Sequence, residues 1–375
     1  MTGLKKLVRR WLDQFQELEA GLPIYRVIVA GYVLLIMLPS GTWLREAPNA
    51  LLFPPLGTPS LVGSVPPGWL VDVLTVALAI CGTFLLLGAG ARWAALGLGG
   101  ILLTLNTWMY AFGKIDHDIL LIVVLFLFAF SNWAPERRGS PASHNSDPRR
   151  GWLTGVLALA IGLSMFSAAL PKLFTGWLRT DTSASRYFFL QNHHVTGRSG
   201  PLTDAFLSVD SPLFWIAADL ATVLLEGGML FLIFTPRLFR IACAVAAIFH
   251  LGIWAIMDIV FHHNVLAYAA FVRWDLVARK FPSTSRFPMP HIKPKEHALL
   301  IGMLGFGLGL MTVLAENPFT TLQRQLFGAP VAEPFILIIG GAVGVAYLLF
   351  RVVRSISGDF PDPLSLARKH DRDLP

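Results

Sequence analysis

The chain has 375 residues, 54% of them hydrophobic and 14% charged, with a mean hydropathy of +0.61. Its apolar residues come in runs longer than a water-soluble domain uses, which excludes that class and predicts an all-α polytopic transmembrane bundle. The net charge of +7 sits in short loops between the runs, where it sets orientation, so nucleic acid is not an expected partner.

In residues 1–22, Leu4, Leu7, Val8, Trp11, Leu12, Phe15 and Leu18 recur at helical spacing, with Lys5, Lys6, Arg9 and Arg10 between them. That pattern predicts an amphipathic helix on the cytoplasmic leaflet, ended by Gly21 and Pro23. A basic start that leads into an amphipathic segment, not an apolar core, carries no expectation of a cleavable signal peptide. About ten spans are then predicted from the apolar runs. They cover 24–40, 69–90, 93–112, 118–134, 152–174, 212–235, 239–261, 264–278, 298–316 and 334–353. The eighth is short and ends in a charged stretch.

Residues 23–278 are read as the main bundle, 279–297 as a proline-rich cytoplasmic linker, 298–354 as two additional spans, and 355–375 as a polar cytoplasmic tail. Of the 30 Lys and Arg residues, all but Arg45, Lys114, Lys172, Arg179, Arg186, Arg198 and Arg324 fall on the side that holds both termini. The asymmetry predicts that both termini are cytoplasmic. Two long outer connections, 41–68 and 175–211, are candidates to cover a site; the second carries Trp177, Tyr187, Phe188 and Phe189, which need burial or an interface. Cys81 and Cys243 lie in apolar runs, so no disulfide framework is expected.

Ionisable residues inside the apolar runs are costly and mark function by default. Lys172 ends the fifth run; a lysine at mid-bilayer costs about 2.5–3.5 kcal/mol, less near an interface. It either snorkels toward Trp177 and Arg179 or belongs to a buried polar site where apolar surroundings strip its proton and make it a base. The turn before span four holds Lys114, Asp116, His117 and Asp118; the two aspartates suit a helix N-terminus, whereas His117 has no such role. Asp219 and Glu226 are seven apart in span six and share a face. His250 and Asp258 are eight apart in span seven, followed by His262, His263 and Asn264 at the outer turn. By topology His117, Lys172, Asp219, His250 and Asp258 fall in the outer half or near the middle, which predicts a polar cavity open to the outer leaflet. The pairs His193–His194 and His262–His263 lack the i, i+4 spacing of a helical metal site, so no metal is expected.

The segment S-A-A-L-P-K-L-F-T-G-W around Lys172, the turn K-I-D-H-D-I-L-L, Glu226 before T-P-R-L-F-R, and His250 occur in an order and spacing that resemble a known family. It is the horizontally transferred transmembrane domain family, which includes the vitamin K-dependent γ-carboxylase and bacterial members. The resemblance covers residues 24–278. It implies that Lys172 is the base that ionises a reduced quinone of the vitamin K hydroquinone kind, and that His117 is tied to the same chemistry. In the carboxylase, oxygenation of the quinol then yields a strong base that takes a glutamyl proton before CO2 adds. Glu226, His250, Asp219, Asp258 and Trp177 are expected to form the substrate-binding shell.

Two departures are visible: Pro171 stands where the carboxylase has a second lysine, and N-W-A-P-E-R-R replaces an acidic stretch after span four. The 375 residues leave no segment for the large non-cytoplasmic domain that helps the carboxylase hold its protein substrate. The expected partners are therefore the lipid bilayer and a lipophilic small molecule or an unidentified protein substrate. The expected location is a prokaryotic plasma membrane, crossed many times. Two other readings stay open: a transporter or proton relay that uses Glu226, His250 and Asp258, and a non-catalytic scaffold of the same fold.

Overall fold

A computed structural model describes residues 3–19, 21–38, 41–113, 118–130, 151–274, 276–277, 294–315, 318–327 and 332–356. Every regular element among them is helical. In chain order they are α1 (Gly3–Asp13), α2 (Gln16–Glu19), α3 (Leu22–Tyr32), α4 (Gly68–Leu87), α5 (Ala91–Tyr110), α6 (Ile119–Phe130), α7 (Trp152–Phe174), α8 (Ala184–His194), α9 (Thr203–Leu207), α10 (Pro212–Leu232), α11 (Pro236–Met257), α12 (His262–Ala269), α13 (Pro294–Leu314), α14 (Pro318–Phe327) and α15 (Ala332–Ile356). A π-helical turn, Val33–Met37, continues α3.

Among the described residues, six helical stretches are long and apolar enough to cross a membrane: Leu22–Arg45, Gly68–Leu87, Trp152–Phe174, Pro212–Leu232, Pro236–Met257 and Ala332–Val353. A seventh span arises if Ala298–Leu314 and Phe319–Leu326, bent by 61°, count as one. The chain is thus a multi-pass integral membrane protein, and among the described residues fewer stretches qualify as spans than the ten expected. The differences have physical causes. α5 has the length, but Arg92, Asn106 and its tryptophans and tyrosine dilute its apolar run. The apolar stretch predicted as a span over 264–278 folds as the eight-residue α12, too short to cross. Val265, Leu266, Ala267 and Tyr268 are buried by protein, so their apolar character answers to packing, not to lipid.

The helix ends follow local chemistry. α4 stops at Gly88, whose φ of 77° lets its N–H return to the Leu85 and Phe84 carbonyls. α10 and α11 each begin with proline, where a missing N–H costs nothing. α11 ends at Asp258, which adopts a left-handed φ of 52°.

Small residues allow the closest packing. A Cβ on Gly305 or Gly309 of α13 would come within 2.6 Å of Ile80 Cα or 2.7 Å of Val76 Cα, so α13 lies backbone to backbone on α4. A Cβ on Gly344 of α15 would meet the Ala244 carbonyl at 2.7 Å, which seats α15 on α11 in the same way. α1 crosses the start of α7: Gly155 faces Leu12 and Phe15, and the Trp11 indole donates to the Ile233 carbonyl at 2.9 Å.

Candidate functional site

The centre of the site is a contact between α7 and α10. The two helices run antiparallel, with Gly162 against Leu230 and Gly227 against Ala169. That register brings the last turn of α7 to Glu226. The Lys172 amine donates to both Glu226 oxygens at 2.5 Å, and both side chains are largely buried, at 20% and 10% exposure. Glu226 is fourteen residues past the start of α10, about 21 Å along the helix axis. Lys172 therefore turns inward to a carboxylate and not outward to the headgroups. The Trp177 ring lies 4.8 Å from the same amine, and Phe188 packs on Trp177 with centroids 5.6 Å apart. The amine thus sits between a carboxylate and an aromatic shelf, an arrangement that suits a flat ring with an acidic hydroxyl.

The segment 175–211 folds over this pair. Its first helix, α8, begins at Ala184, and Asp219 of α10 holds that beginning. Asp219 accepts from the Ala184 and Ser185 backbone N–H groups at 2.9 and 2.7 Å, and from the Ser185 hydroxyl at 2.5 Å. Asp219 is 1% exposed, and its charge is met by the orphan donors of a helix N-terminus. Phe189 stacks on Trp215 at 5.7 Å. Further along, the Leu202 N–H and Thr203 hydroxyl bond to the Ala255 and Ile256 carbonyls at 2.7 and 2.8 Å. At the surface of the segment, Arg179 donates two hydrogen bonds to Asp181. Those bonds hold the Asp181 carboxyl below its ordinary range and the Arg179 guanidinium above its own.

A second polar group is buried beside the first. His250, 3% exposed, has Nε2 at 3.1 Å from the Tyr268 hydroxyl and 3.4 Å from Asn264 Nδ2. Phe261 and Tyr268 stack on the imidazole at 4.7 and 5.9 Å. The Tyr268 hydroxyl also lies 3.6 Å from Met165 Sδ of α7. Two neighbouring clusters extend the polar interior. Tyr32 meets His262 Nδ1 at 3.3 Å, and His263 Nε2 meets Met37 Sδ at 3.3 Å. At the junction of α5 and α6, the Tyr110 hydroxyl donates to Asp118, and Asn106 donates to the same carboxylate at 2.8 Å.

The expected residues are thus distributed. Lys172 contacts both Glu226 and Trp177. His250 belongs to the adjoining Tyr268–Asn264 cluster. Asp219 holds the covering segment, and Asp258 is the half-buried C-cap of α11. His117 lies outside the described residues. Asp118, read as a helix cap, sends its side chain back to α5. Tyr268, Tyr32, Asn106 and Tyr110 were not singled out in the sequence. A usable signal existed for one pair: Asn264 and Tyr268 are four apart, on one face of a short helix. Among the described residues no group of His, Cys, Asp and Glu could hold a metal ion.

Comparison with family models, with curated proteins and with solved structures finds no match for this chain.

Proposed function

We propose that this membrane protein is an enzyme that deprotonates a quinol-like amphipathic substrate, of the kind suggested by the resemblance to the vitamin K-dependent γ-carboxylase. The observation that carries the reading is the buried Lys172–Glu226 pair under the Trp177 shelf. At low dielectric, separated charges lose the solvation that favours them in water, so a neutral amine–carboxylic acid pair becomes accessible. The proton passes from Lys172 to Glu226. The free amine then takes the substrate hydroxyl proton. The products are a lysine ammonium, a substrate oxyanion and a neutral Glu226 acid, with no net charge gained at the pair. The ammonium remains beside the oxyanion and stabilises it.

The surrounding groups have supporting parts. Trp177 and Phe188 hold a planar ring, and Asp219 fixes the helix that carries Phe188. His250, through Tyr268, provides a polar wall, and His117 has the orienting role implied by the resemblance. The reading includes a cell membrane with both termini in the cytoplasm, so that the site opens to the other side.

Purified protein in detergent tests it. With a reduced naphthoquinone and O2, the wild type accelerates quinol loss. Lys172→Arg preserves a cation for Glu226 but cannot act as a base near neutral pH, so it loses the acceleration. A wild type that is inert in detergent yet moves protons or solutes in sealed vesicles would replace this reading with a transporter. Inertness in both would leave a scaffold.

A further inference from the structure

A groove of about 730 Å³ lies between α3, α11, α12 and α15, apart from the Lys172–Glu226 pair. Its walls are apolar along most of their length, with Val27, Leu35, Ala247, Val265, Phe335 and Val343 among them. Polar groups gather at the end where α11 begins and α15 finishes: Arg240, Arg273 and Tyr347. Arg240 is the fifth residue of α11, about 6 Å from the helix start, the depth of a headgroup boundary. Its Nε donates to the Phe271 carbonyl at 3.1 Å, and its guanidinium lies 5.5 Å over the Tyr347 ring. These contacts aim the guanidinium but do not neutralise it. Among the described residues no carboxylate pairs with Arg240, and none lines the groove. A cation held at a helix end beside a long apolar slot is complementary to a molecule with one anionic head and long tails.

We propose that this groove binds an anionic phospholipid, with its acyl chains along α3 and α15 and its phosphate on Arg240. The planar guanidinium matches phosphate oxygens through paired N–H donors. Basic pockets between spans are a recognised way of holding anionic headgroups. The apolar length selects a lipid over a free anion, because inorganic phosphate would leave the slot unfilled.

Native mass spectrometry of the full chain, released from micelles that contain equal phosphatidylglycerol and phosphatidylcholine, tests the proposal. The wild type retains phosphatidylglycerol in preference, by about fivefold for the charge that Arg240 supplies. Arg240→Gln brings the two lipids to parity. Val343→Trp alters a side chain that is 43% exposed, so it folds; it fills the slot and lowers retention of both lipids while the arginine stays. Arg240→Lys keeps the charge and retains part of the preference, which separates lost charge from a lost fold. Equal retention by the wild type, or an unchanged preference in Arg240→Gln, overturns the proposal. So does displacement of the lipid by millimolar inorganic phosphate, which would show a free-anion site.

Discussion

The Lys172 ammonium and the Glu226 carboxylate meet at 2.5 Å across α7 and α10, each the other's only charged contact among the described residues. Breaking such a pair from one side strands a charge, whereas removing both sides does not. Lys172→Met and Glu226→Leu each lower thermal stability toward the lower end of ~3–5 kcal/mol, since both side chains keep some exposure. The double variant regains much of the loss. A thermal-shift double-mutant cycle reads this directly, and additive effects would show that the pair is not coupled.

Asp219 gives a separable prediction. It holds the first residues of α8 and makes no contact with Lys172 or Glu226. Asp219→Ala costs about 0.5–2 kcal/mol, the usual range for a lost helix cap. Its distinctive effect is local: cleavage by added protease rises within 175–211 while the rest of the chain stays resistant. Asp219→Asn retains an acceptor oxygen and falls between the two. Uniform loss of resistance would mean that Asp219 supports the whole bundle.

Asp181 carries a pH prediction. Hydrogen bonding from Arg179 depresses its folded pKa, so its contribution to order in the loop is present above the unfolded value of about 3.9. That contribution disappears as pH falls through the lower folded value. The carboxyl carbon of Asp181, assigned by its absence in Asp181→Asn, therefore titrates below the ordinary aspartate range. High salt moves the midpoint back up, because the pair is exposed and screened. A midpoint at the ordinary value in low salt would mean the pair does not form in solution.

The sequence revealed the class of protein and that Asp219, Glu226 and His250 lie inside the bundle, but not how the polar residues divide their work. Long apolar runs with capped ends were legible because length and hydropathy alone define them, as in α7 and α11. The span predicted at 264–278 shows the limit: a short apolar run reads the same whether lipid or protein surrounds it. Spacing correctly put Asp219 and Glu226 on one face of α10, and both are buried there. Spacing could not tell that Asp219 would meet a helix start and Glu226 an amine. Those partners come from 175–211 and from α7, so they depend on tertiary register. Tyr268 is not legible for a similar reason: a tyrosine in an apolar run becomes part of a polar cluster only when His250 is brought across from α11.

The glycine contact between α4 and α13 has a consequence for biogenesis. α4 ends at Leu87, whereas the helix that presses Gly305 and Gly309 against its backbone starts at Pro294. At about 5–20 residues per second, the ribosome needs tens of seconds to deliver the later helix after the earlier one has left the insertion machinery. During that interval the Val76–Ile80 surface faces lipid or a temporary protein escort. Nascent chains stalled before the second helix should therefore be the form most readily captured by membrane chaperones and degraded by quality-control proteases.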